Sequence, residues 1–167
     1  VLDDPEMVLT GDEPDFGRSF AVGDVSGDGW ADLVVGDSAF DAPDALNAGR
    51  VLIYFGGPQG LSETPVSIEG EQPGAMIGSS VSILGDVNGD GVNDLGVAAP
   101  GYPGMQEVVE VLPDETTQSS YVPTTGMAFV VFGGSDLLVN KTAETLQGDG
   151  AAILAAAEAV NGDGLAD

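Results

Sequence analysis

The chain has 167 residues, with 28 Asp plus Glu against 3 Lys plus Arg, no His and no Cys, for a formal net charge of -25. Phosphate binding needs clustered Lys or Arg, so nucleic acid is excluded as a partner. The lack of His and Cys excludes imidazole acid–base chemistry, thiol nucleophiles and a disulfide framework. Hydrophobic residues still make up 43%, and 26 Gly with 10 Pro point to a folded chain rich in turns and poor in long helices.

Met7-Val8-Leu9-Thr10 reads as a strand ending an earlier unit. Phe16-Gly17 then leads into a short strand, Ser19 to Gly23, and an acidic loop follows, Asp24 to Asp32. Leu33-Val34-Val35-Gly36 is the next strand, β-branched and apolar. A polar loop over 37–48 separates it from the strongest strand of the first half, Gly49 to Gly57. Tyr54 and Phe55 in that strand point to opposite faces, one to the core and one to a neighbouring unit. Val66-Ser67-Ile68 is a fourth strand, short and edge-like.

The order then starts again. Ile77-Gly78 matches Phe16-Gly17, Ser80 to Gly85 matches the first strand, Asp94 to Pro100 the second, and Gly126 to Gly134 the third. The acidic loops lie 62 residues apart, but the third strands lie 77 apart, and the extra 15 fall within 101–125. This insertion carries Tyr102, Val108, Val109, Val111 and Tyr121 in a polar frame and is the candidate for a distinctive contact, against the plainer reading of a decorative loop. Four strands per unit at such a period signal a propeller, because a four-stranded sheet has two apolar faces and wants neighbours on both. The units are 1–11 as the last strand of a preceding blade, 12–70 and 71–148 as two blades, and 149–167 as the start of a third.

The second loop, Asp86 to Asp94, packs three acids and two amides into nine residues. Repulsion would splay such a segment, and a hard cation removes that cost. Ca²⁺ takes six to eight oxygens, and the candidates are Asp86, Asn88, Asp90, the Val92 carbonyl and Asp94, at loop positions 1, 3, 5, 7 and 9. In the first loop the same positions are Asp24, Ser26, Asp28, the Trp30 carbonyl and Asp32. A third copy offers Asn161, Asp163, the Leu165 carbonyl and Asp167, but Ala159 stands at position 1, so two sites are expected and the third is weak or absent. An EF-hand needs Glu at position 12 and flanking helices, whereas Val35 and Val97 stand there within strands. The Trp30 side chain is expected to wedge against a neighbour. No catalytic residue emerges: the carboxylates are accounted for by calcium and by an acidic surface, and the chain reads as a non-enzyme.

These motifs resemble the FG-GAP repeat of the integrin alpha-subunit β-propeller and its prokaryotic relatives. Phe16-Gly17 and Ile77-Gly78 stand at its first landmark, Gly36-Asp37-Ser38 and Ala98-Ala99-Pro100 at its second. The resemblance implies an all-β fold, a fragment of a β-propeller that is seven-bladed when complete. Its four-stranded antiparallel blades carry calcium loops between their first and second strands. It further implies a secreted or cell-surface module in which calcium is structural and the partner is another protein or a glycan, besides the remaining blades. The alternative is the propeller domain of a larger extracellular polysaccharide-acting or other hydrolytic or lyase enzyme. No segment is apolar and long enough for membrane insertion. With Val1 first and Asp167 last, the chain is expected to be a piece of a larger protein. The acid surplus has two readings: life in concentrated salt, as in a halophilic archaeon or salt-adapted bacterium, or a surface made to meet cations or a basic partner. The near absence of Lys throughout, rather than from one patch, favours the first.

Overall fold

The structure is a computed structural model that describes residues 7–111, 117–134 and 143–147, with side chains described over 7–102 and 126–134. The described residues form two four-stranded antiparallel sheets and no helix. Sheet one runs β1 (Ser19–Gly23), β2 (Asp32–Asp37), β3 (Arg50–Tyr54) and β4 (Val66–Glu69), in chain order. Sheet two repeats that order with β5 (Ser80–Gly85), β6 (Asp94–Val111), β7 (Thr117–Val131) and β8 (Ala143–Gln147). Each is a propeller blade, and two blades do not close a ring.

The burial pattern follows from position in the sheet. β2 and β3 are central and covered on both faces, so they read as continuous apolar runs, whereas β1 alternates. One face of sheet one, with Val34, Val51 and Ile53, packs on Val81, Leu95, Val97 and Val131 of sheet two, and Val25 of the first loop completes that core. The other face holds Val35, Leu52 and Tyr54, covered by Leu9, Phe16 and Leu61. Tyr54 and Phe55 do face opposite ways: Phe55 joins the core between the sheets and Tyr54 the outer one. On that outer face Phe20 is opposite Val35 and Val22 opposite Leu33, yet Phe20 is 66% and Val22 60% exposed.

The two family landmarks meet inside each blade. Gly17 N–H donates to the Gly36 carbonyl (3.0 Å) and Gly78 N–H to the Ala98 carbonyl (3.1 Å). The two glycine donors adopt φ of 75° and 82°, a left-handed backbone that disfavours a side chain. At the same end of sheet one, Asp37 is fully buried and accepts from Arg50 Nε at 2.9 Å, while the Arg50 guanidinium lies 3.9 Å from the Phe40 ring centroid. This pair clamps the starting end of β3 to the far end of β2.

Two expectations need correction. Residues 7–10 are in no strand among the described residues; Leu9 packs on the outer core of sheet one. The 101–125 insertion is not a loose loop. It extends β6 and β7 beyond the blade as a paired hairpin, Pro103–Val111 against Thr117–Thr125, after a register shift between Ala99 and Pro103. Tyr102, read as a contact residue, turns inward and meets Phe129 edge to face at 5.4 Å. The side chains of Val108, Val109, Val111 and Tyr121 lie outside the described ones, and so does the whole of 149–167.

Candidate metal centre

Both acidic loops close one end of their blade, between the first and second strands. Each is wound around its first acid. Asp24 Oδ1 accepts from Gly27 N–H (2.7 Å) and Asp28 N–H (3.2 Å), and Oδ2 from Gly29 N–H (2.8 Å). In the second loop Asp86 accepts from Gly89, Asp90 and Gly91 N–H at 2.7, 3.0 and 2.7 Å. The winding needs positive φ at loop positions 4 and 6, supplied by Gly27 and Gly29 (78° and 89°) and by Gly89 and Gly91 (83° and 89°). The fifth position repeats as well: Trp30 N–H donates to Asp28 Oδ1 and Val92 N–H to Asp90 Oδ1.

The ninth acid behaves differently from the others. Asp32 and Asp94 are fully buried. Asp32 accepts from Val25 and Ser26 N–H at the start of its loop and from Gly56 N–H (2.8 Å) just after β3. Asp94 accepts from Val87 N–H (2.8 Å) and from Gly133 N–H (2.9 Å) just after β7. Each therefore ties the loop's entry to the exit of the third strand. The glycine donors are required, since a Cβ on Gly56 would run into the Ala31 carbonyl and one on Gly133 into the Asn93 carbonyl. Sequence reasoning had given Gly56 and Gly133 no role; the signal was their recurrence as the glycine pair closing each third strand.

The third-position residues do less. Ser26 Oγ donates to Asp24 Oδ1 at 3.3 Å, and Asn88 bridges to Asp90 through Nδ2 and accepts from Asp90 N–H. The Trp30 side chain is 49% exposed, not wedged. Among the described residues, no three of His, Cys, Asp and Glu converge on one point as a ready-made cation cluster. The carboxylates lean on backbone N–H groups instead. The donor chemistry nevertheless suits a hard cation. Every predicted ligand atom is oxygen, and Asp24 Oδ2 and Asp32 Oδ1 each accept a single hydrogen bond, leaving lone pairs free. Among the described residues, no basic side chain offsets these acids: Arg18 pairs with Asp15 and Arg50 with Asp37. The third loop, with Asn161, Asp163, Leu165 and Asp167, lies outside the described residues.

A model of the FG-GAP repeat matches residues 16–54 and 77–120, one stretch in each blade. Mouse integrin alpha-7 is 34% identical over 155 residues, covering 86% of this chain and 13% of the mouse protein. Mouse integrin alpha-IIb is 35% identical over 139 residues, covering 73% of this chain and 14% of its own length. Bovine phosphatidylinositol-glycan-specific phospholipase D is 37% identical over 92 residues, half of this chain and 11% of that protein. The chain thus spans a small part of the relatives it resembles. With the landmarks bonded to each other in both blades and an acid loop between the first two strands of each, the chain belongs to the FG-GAP repeat family.

Proposed function

We propose that this chain is a calcium-stabilised adhesion module at the cell surface or outside the cell, and that loops 24–32 and 86–94 each hold one structural Ca²⁺. One observation carries the metal assignment. Two loops far apart in sequence adopt the same winding around equivalent acids, and no described basic side chain balances them. Asp24, Ser26, Asp28 and Asp32, with the Trp30 carbonyl, would hold the first ion. Asp86, Asn88, Asp90 and Asp94, with the Val92 carbonyl, would hold the second. Calcium would supply the positive charge that lets these carboxylates sit together, and it would stiffen the end of each blade. The reading assigns no catalytic step.

The likeness to integrin alpha subunits supports an adhesive role, with a protein or glycan as partner. Propeller loops carried on a rigid sheet suit such contacts. Surface plasmon resonance against immobilised extracellular proteins and a glycan array tests this. Binding in calcium that disappears with chelator is expected; no binding in either condition would overturn it. The phospholipase D likeness supports a second reading, in which the module belongs to a larger extracellular enzyme. A catalytic domain beside these repeats in the parent chain would decide for it.

A further inference from the structure

Away from the acidic loops, a cleft of about 170 Å³ opens between the two blades. Its walls are Ile68 and Ile77 on one side and Val97, Tyr102, Phe129 and Val131 on the other, with Glu69 and Glu71 at the rim. The same two glutamates line an adjoining polar recess with Asp44. We propose that this cleft anchors a partner polypeptide by one large apolar side chain that is followed by Lys or Arg, the basic groups lying against Glu69, Glu71 and Asp44.

Size selects the kind of occupant. Sites for drug-sized ligands run to roughly 300–1,000 Å³, so this cleft suits a single side chain. Charge selects its neighbours. Glu69 Oε1 accepts from Ser67 Oγ (3.0 Å), and both described arginines are already paired, so no described cation meets this rim. The acids do not close on a metal either. Both walls belong to this chain's own blades, so the cleft forms without a further one. Its mouth lies at the end of β4 opposite the acidic loops, where β6 runs on into the hairpin extension. A buried apolar anchor surrounded by a polar rim is the usual economy of a protein contact.

The inference rests on the adhesion reading, and its test is separate. Fluorescence anisotropy would follow a labelled Gly-Ser-Phe-Lys-Lys-Gly peptide binding the 167-residue chain at fixed calcium and 0.15 M salt. The same peptide with Ser in place of Phe should bind at least tenfold more weakly. Removing the rim charges with E69Q/E71Q should weaken the Phe peptide about fivefold or more. D12N/E63Q, which removes equal charge elsewhere on the exposed surface, should leave it unchanged. Phe and Ser peptides binding alike, or the two double variants weakening it alike, would show only general attraction to an acidic protein. Either result overturns the cleft while leaving the adhesion reading to its own assay. These surface substitutions spare the core, so folding does not confound them; I68W, which fills the cleft, should abolish the Phe preference wherever circular dichroism shows it folded.

Discussion

Asn93 Nδ2 donates a hydrogen bond of 3.0 Å to the backbone carbonyl of Asp24, so the second acidic loop props the first across 69 residues of chain. Beside it, Gly134 N–H donates to the Val25 carbonyl at 2.8 Å. The loops are thus joined directly as well as through the core. Ala31 stands in the first loop where Asn93 stands in the second, so the strut runs one way only.

Replacing Asn93 by Ala should orphan that carbonyl and cost about 1 kcal/mol, the usual net worth of one such bond. Urea unfolding at fixed calcium would measure it. Calcium titration should show the first loop, not only the mutated one, binding more weakly. An unchanged first loop would mean the strut is a passive contact.

The ninth-position acids should matter even without metal. In chelator, Asp94→Ala should cost roughly 3 kcal/mol, because it leaves the Val87 and Gly133 N–H groups unpaired at a buried site. Asp90→Ala, at an exposed position, should cost less than about 1 kcal/mol under the same conditions. Chelator-resolved denaturation curves check both, and equal losses would remove the distinction between latch and ligand.

Much of this was legible beforehand. Strand order and loop position followed from a pattern written twice, with Gly-Asp-Gly turns between short apolar runs. What the latch does was not legible, because the donors at its far side, Gly56 and Gly133, lie 24 residues from Asp32 and 39 from Asp94. Tyr102 could be placed only by knowing that Phe129 lies beside it in the cleft. The hairpin extension was hidden by Pro103, Pro113 and Pro123, which punctuate its sequence and argue against strand. Trp30 misled for a simpler reason: a loop whose side chains serve its own backbone leaves its seventh residue facing out.

Salt should stabilise the chain. At a net charge of -25, self-repulsion acts over a Debye length of about 30 Å at 0.01 M and only about 3 Å at 1 M. We expect the melting temperature at fixed calcium to rise across that range. A flat or falling profile would remove support for adaptation to concentrated salt and leave the acids to a partner.

The central claim is that calcium holds these blades. Titration calorimetry should count two Ca²⁺ per chain, with any third ion at 159–167 much weaker because Ala159 replaces the first acid. At a hundredfold excess over Kd each site contributes about 2.7 kcal/mol. At about 2–4 °C per kcal/mol for a chain of this size, two sites raise Tm by roughly 10–20 °C. Differential scanning calorimetry with saturating calcium and then with chelator measures that shift most directly. A rise of this order is predicted; the same melting temperature in both conditions would contradict the account.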